Sequence, residues 1–213
     1  MAAGGGTLTQ RRRELRNAGL GAAAVTVALA VATRTRRLQD YDDALERAAG
    51  PLRRGLRAAA SVGTLPGEPW LHPAIGAGVA LVILATRGGR RRRVLVPLAG
   101  ASLGAIVAHH AVKAVYRRKR PMIALRRGKT EPAFPSGHTT DATAVLATGA
   151  YLLVREEMVP ARVAFPVAAA LAVGTGASRV ALGWHWGTDV LGGWLVGATV
   201  AAACAHAYET LRR

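Results

Sequence analysis

Six long apolar runs, almost free of charge and separated by clusters of arginine, limit the fold of this chain more than any other feature. The runs are Asn17–Thr33, Pro69–Thr86, Val94–Val112, about Ser136–Val154, Val163–Ala177 and Val190–Tyr208. Most approach the roughly 20 residues that a helix needs to cross a bilayer. The pattern predicts an all-α polytopic bundle of six transmembrane helices. The chain has 29 Lys and Arg against 12 Asp and Glu, a formal charge of +17 that would ordinarily point to nucleic acid. A nucleic-acid binder needs its arginines on a water-exposed surface, whereas these punctuate membrane spans. Nucleic acid is therefore excluded as a partner.

Residues 1–16 read as a flexible, basic, cytoplasmic leader carrying Arg11, Arg12, Arg13 and Arg16, and residues 17–213 as one membrane-embedded domain. A basic segment before an Ala-rich run also resembles a signal peptide. A retained helix is the reading adopted. Residues 38–60 cannot span: Leu38, Tyr41, Leu45, Ala48, Leu52, Leu56 and Ala59 recur every three or four positions among acidic and basic residues. They predict an amphipathic interfacial helix, interrupted at Gly50-Pro51. Arg87 and Arg90 to Arg93 form a tight basic cluster between spans, a cytoplasmic marker. Both termini then lie in the cytoplasm, and the loops after spans three and five face the outside of the plasma membrane. Arg155, Arg162, Arg212 and Arg213 fall inside, as the rule expects.

Three polar constellations share that outer face. Ser178–Asp189, reading SRVALGWHWGTD, holds Arg179, His185 and Asp189 in otherwise apolar sequence. If a helix begins at His185, the spacing of four stacks His185 on Asp189, so that the carboxylate holds one ring nitrogen and frees the other as nucleophile or base. Pro135–His138 is PSGH: Ser136 can cap a helix, the amides around Gly137 can bind an anion, and His138 in the first turn can donate a proton to it. Lys113–Pro121 supplies Lys113 and Arg120, a point charge and a planar fork suited to phosphate oxygens. Arg117, Arg118 and Lys119 read as solvated or among headgroups, and Asp141 as ordinary polar lining.

Together K-x6-R-P, P-S-G-H and S-R-x5-H-x3-D, in this order and spacing over roughly residues 70–210, resemble the three signature motifs of the type 2 phosphatidic acid phosphatase superfamily. The resemblance implies a membrane-integral lipid phosphatase in which His185 attacks phosphorus to give a phosphohistidine, Asp189 orients that imidazole, and His138 protonates the leaving oxygen. It also implies that Lys113, Arg120, Ser136, Gly137 and Arg179 hold the phosphoryl group, without a metal or other cofactor. The residues agree independently: the constellations offer cations where a metal site would need several carboxylates.

A membrane lipid phosphate is the expected partner. The short link Met122–Phe134 between the first two motifs is similar to small bacterial polyprenyl-diphosphate phosphatases, so undecaprenyl or decaprenyl diphosphate is the expected substrate. Phosphatidylglycerol phosphate and phosphatidic acid are the alternatives, and a non-catalytic lipid-phosphate binder is the rival from another class. His109, four residues before Lys113, reads as packing rather than chemistry; His72, His110 and His206 read as structural. Trp184 and Trp186 read as interfacial anchors. Cys204, the single cysteine, reads as a small buried side chain.

Overall fold

A computed structural model of the chain describes residues 7–87 and 91–212. Arg90, Arg213 and the first six residues of the leader lie outside the described residues. Eight helices follow in order: α1 (Leu8–Ala32), α2 (Arg36–Gly63), α3 (Leu71–Arg87), α4 (Arg91–Val115), α5 (Met122–Arg126), α6 (Gly137–Arg155), α7 (Ala161–Ala181) and α8 (Gly187–Leu211). Among the described residues there is no strand. All six apolar runs are helical.

Four of these helices, α1, α4, α7 and α8, are long and apolar enough to cross a membrane by composition alone. Helix α3 has 17 residues and is slightly short. Helix α6 has 19 but carries Thr139, Thr140, Asp141 and Thr148, all buried. Its position accounts for that composition. It sits at the centre, packed on α3, α4, α7 and α8, so its polar groups face protein rather than lipid.

Small residues let α8 ride directly on α6. A Cβ at Gly193 would lie 2.9 Å from the Ser136 carbonyl oxygen, and one at Gly197 would lie 2.8 Å from that of Thr140. This close backbone approach is the usual means of packing helices where lipid removes the hydrophobic driving force. Helix α1 closes the bundle by packing along α8. Cys204 is buried in the core with Ala101 and Val145, as expected.

Two boundaries differ from the sequence reading. The leader is helical from Leu8, so Arg11, Arg12, Arg13 and Arg16 belong to α1 itself. The hydrogen-bonded turn nucleated by the Thr7 hydroxyl, which accepts the Gln10 amide at 3.2 Å, starts the helix early. Helix α2 does not break at Pro51 but runs unbroken from Arg36 to Gly63. It packs against α7 and reaches α8, and its tertiary contacts hold it across the proline.

The topology sorts the bundle's two ends. Arg93 pairs with Glu156 at 3.2 Å, and Arg155 with Glu209 at 2.6 Å, gathering the starts of α1 and α4 with the ends of α6 and α8. At the opposite end meet the end of α4, the start of α6, the end of α7 and the start of α8. The three constellations lie there.

Candidate active site

His185 occupies the loop between α7 and α8, buried to 2 % exposure. Helix α8 begins at Gly187, not at His185, so the expected helical stacking on Asp189 does not occur. Contact is achieved another way. Asp189 stands in the first turn, accepts the Trp186 amide N–H at 2.9 Å through Oδ2, and brings that oxygen to 3.5 Å from His185 Nδ1. On the other side of the ring, Nε2 lies 3.2 Å from Arg120 Nη1. A guanidinium can only donate, so this contact requires the lone pair to be on Nε2 and the ring proton on Nδ1. Burial, followed by the charges of Arg120, Arg179 and Lys113, holds the His185 imidazole well below its ordinary value of 6.5. The ring is neutral and faces three cations.

Arg120 and Arg179 make their hydrogen bonds to neutral acceptors, and Arg120 Nη2 also lies 3.8 Å from the exposed Glu131 carboxylate. Arg120 donates from Nη1 to the Trp184 carbonyl at 2.8 Å and from Nε to that of Glu131 at 2.8 Å. Arg179, 3 % exposed, donates to the Thr64 hydroxyl at 2.8 Å and lies over the Trp184 ring at 4.1 Å. Trp184 is therefore a shelf for a buried guanidinium rather than a lipid anchor. Trp186 ties the loop to α4's extension by donating to the Lys119 carbonyl at 2.9 Å. Lys113, on the last turn of α4, joins Arg120 and Glu131 around a cavity of about 520 Å³ that opens beside the site.

The PSGH segment folds as the N-terminus of α6. Ser136 is its N-cap residue, but its hydroxyl makes no capping bond and instead accepts that of Thr139 at 2.9 Å. Its amide donates to the Asp189 carbonyl at 2.9 Å, which fastens the second motif to the third. Gly137 has a packing reason as well: a Cβ there would sit 3.2 Å from the His109 ring. His138, in the first turn of α6, brings Nε2 to 3.3 Å from Glu68 Oε1. A carboxylate only accepts, so the pairing favours a proton on that nitrogen.

Several participants were not legible in the sequence. Glu68 and Thr64 flank the 3₁₀ turn Leu65–Gly67 and partner His138 and Arg179. Arg118, read as solvated, is held between Asp189 at 2.7 Å and Asp42 at 2.6 Å. Burial opposes its charge, yet the two carboxylates outweigh that and raise its proton affinity above the ordinary guanidinium value. Asp42, on α2, is 2 % exposed. His109 is buried as expected, with Nε2 3.5 Å from Asp141 Oδ1, so Asp141 is a buried partner rather than simple lining. Alternation of one acidic residue with arginines on a surface helix looks the same whether the acid faces water or the core.

Known proteins resemble this chain in sequence and fold. The PAP2 superfamily matches residues 94–213. Phosphatidylglycerophosphatase B of Bacillus subtilis is 39% identical over 83 residues, a stretch covering 38% of this chain and 41% of that protein. The crystal structure of a transmembrane PAP2-type phosphatidylglycerolphosphate phosphatase from Bacillus subtilis superposes with a TM-score of 0.77 at 27% identity, covering 87% of this chain and 93% of that one.

Proposed function

The chain belongs to the PAP2 superfamily, and from that premise we propose that it is a metal-independent phosphatase of membrane lipid phosphates acting through a phosphohistidine. The observation that carries this reading is the placement of the His185 ring between Asp189, 3.5 Å from Nδ1, and Arg120, 3.2 Å from Nε2, from which the tautomer is inferred. Its Nε2 lone pair points at the arginine fork of Arg120 while Nδ1 faces Asp189, the arrangement a histidine nucleophile requires. Nε2 attacks phosphorus as the bond to the leaving oxygen breaks, and His138 passes its Nε2 proton to that oxygen. Asp189 balances the charge the ring acquires. Lys113, Arg120, Arg179, Ser136 and the Gly137 amide receive the phosphoryl oxygens as charge moves onto them. Water then cleaves the phosphorus–nitrogen bond, passing a proton to His138 as it attacks, and so regenerates both imidazoles in their starting states.

The substrate we propose is a phosphatidylglycerol phosphate, because both relatives are named for that activity. The polyprenyl diphosphate expected from the short Met122–Phe134 link finds no support in them and becomes a test arm. The protein is a multi-pass membrane protein. We read the site as extracytoplasmic and both termini as cytoplasmic, supported by the arginines of α1, α4 and α6 meeting at the end opposite the site.

The decisive experiment is phosphate release by detergent-purified protein in EDTA, from phosphatidylglycerol phosphate, phosphatidic acid, a polyprenyl diphosphate and a soluble phosphomonoester. Wild type should release phosphate fastest from the first, and His185→Ala should release none while still binding vanadate. Turnover by His185→Ala, or full loss in EDTA reversed by magnesium, would overturn the mechanism.

A further inference from the structure

Helix α2 lies outside the three motifs, yet one of its carboxylates reaches the first turn of α8. Asp42 accepts the Thr188 amide N–H at 3.0 Å through Oδ1 and the Thr188 hydroxyl at 2.6 Å through Oδ2. The residue at the N-cap position of α8 is Trp186, whose side chain has no acceptor oxygen to offer. An orphan donor of this buried helix end is thus satisfied from another helix. A Cβ at Gly187 would meet Leu45 Cδ2 at 2.6 Å and Asp42 Oδ1 at 3.5 Å, so α2 is seated directly on the start of α8.

Two carboxylates, Asp42 and Asp189, now share one helix start, both almost without exposure. Arg118 resolves their repulsion. Its Nη2 donates to Asp42 at 2.6 Å, and its Nη1 donates to Asp189 Oδ1 at 2.7 Å and to the Thr188 hydroxyl at 2.6 Å. The planar fork thus fixes one oxygen of Asp189, and the Trp186 amide fixes the other, the one facing His185. A lysine cannot reproduce that fork.

We propose that Arg118 and Asp42 are positioning residues: the chain Asp42–Arg118–Asp189 aims the carboxylate that orients His185, and so makes the nucleophile's geometry depend on the seating of α2. This deepens, and rests on, the reading of His185 and Asp189 as the nucleophile pair. Neither residue touches the phosphoryl group. Their removal should therefore act on turnover and spare binding.

The test is steady-state kinetics of the full chain on phosphatidylglycerol phosphate in EDTA, with vanadate affinity and thermal stability measured on the same preparations. Arg118→Gln should lower kcat about 10–100-fold, by analogy with outer partners that orient metal-bound histidines, with KM and vanadate affinity within about threefold. Asp42→Asn, nearly isosteric, should lower kcat by a smaller factor, and Arg118→Lys should recover part of the loss. The double variant Asp42→Asn/Arg118→Gln should be no slower than Arg118→Gln alone, since both act through one carboxylate. A kcat for Arg118→Gln within twofold of wild type, multiplicative losses in the double variant, or a loss confined to KM would overturn the proposal. His185→Ala in parallel separates the two failures. An inactive His185→Ala beside a fully active Arg118→Gln sinks only this inference, whereas an active His185→Ala sinks the reading of the site beneath it.

Discussion

Gly67→Ala is a one-carbon change that the fold has no room for. A Cβ at this position would lie 2.3 Å from the His138 carbonyl oxygen and 2.7 Å from both its carbonyl carbon and its Cα. All three atoms are backbone of the first turn of α6, so no side-chain rotation relieves the clash. Returning the closest pair to an ordinary 3.4 Å contact demands about 1 Å of separation between the 3₁₀ turn and α6. The turn is flanked by Thr64 and Glu68, which contact Arg179 and His138, so the displacement is transmitted to a cation and to the proposed proton donor. Misplacement of reacting groups by about 1 Å costs on the order of 10²-fold in rate, and overpacking of this kind costs about 1–3 kcal/mol of stability. We expect Gly67→Ala to lose about 10²-fold in kcat on phosphatidylglycerol phosphate and several degrees of Tm. Gly78→Ala is the matched control: nothing lies within 4 Å of its added carbon, and in the middle of α3 it should be neutral or stabilising by up to about 1 kcal/mol. Kinetics and thermal unfolding in one detergent read both. A Gly67→Ala protein with kcat within threefold of wild type and an unchanged Tm would refute the argument.

Asp189→Asn should keep the fold and vanadate binding while lowering kcat by about 10³–10⁴-fold, as when a triad carboxylate becomes an amide and the imidazole is held in the wrong tautomer; rates within tenfold of wild type would contradict the role given to His185 Nδ1. Thr64→Val, which keeps shape but removes the acceptor of Arg179, should weaken substrate binding by about 1 kcal/mol, read as a several-fold rise in KM with little change in kcat. Stability should fall with acid through His185. Because burial depresses its proton affinity, the unfolded chain takes up a proton near pH 6.5 that the folded one refuses, so stability is full above 6.5 and declines below it by up to about 1.4 kcal/mol per pH unit. Thermal unfolding between pH 7 and pH 5 should thus fall more steeply for wild type than for His185→Gln, and parallel curves would count against the neutral buried ring.

The spans and the three motifs were legible because each rests on a local signal. Apolar runs must form helices in lipid, and Ser136, His138, Arg179, His185 and Asp189 sit where a helix meets a loop, beside Gly and Pro that mark the junction. What was not legible is pairing over long range. Asp42 lies 146 residues from Thr188, and Arg179 115 residues from Thr64. Nothing in the amphipathic period of α2 says that Asp42 faces α8 while Asp40 and Asp43 face outward, because all three flank the same apolar stripe. Arg118 was misread for the same reason: in the run Arg117-Arg118-Lys119 only the fold decides which cation turns inward. The expected helix at His185 failed on a local rule. Trp184 and Gly183, with the latter at φ 71°, finish the turn after α7, and the chain re-enters a helix only at Gly187.

The resting partners of the cations bear on how such a site can exist at a membrane surface. Three positive groups around a neutral imidazole would be costly to bury if unpaired. Arg120 leans on two backbone carbonyls and Arg179 on a hydroxyl and an indole face. These acceptors satisfy hydrogen bonds but carry no net negative charge of their own. The buried carboxylates nearby are otherwise engaged, Asp189 and Asp42 with Arg118, and Glu68 lies against His138; among the described residues only the exposed Glu131 carboxylate reaches one of these cations, 3.8 Å from Arg120 Nη2. On the proposed reading, a phosphate supplies the close counter-charge that the exposed Glu131 offers to Arg120 only at 3.8 Å, so its charge is matched as it binds. Neutral holding partners keep the cations aimed without consuming the charge the substrate must find. That division, with carboxylates committed to histidines and to Arg118 and carbonyls committed to the phosphate-facing arginines, is what distinguishes a poised phosphate site from an internal salt-bridge network made of the same residues.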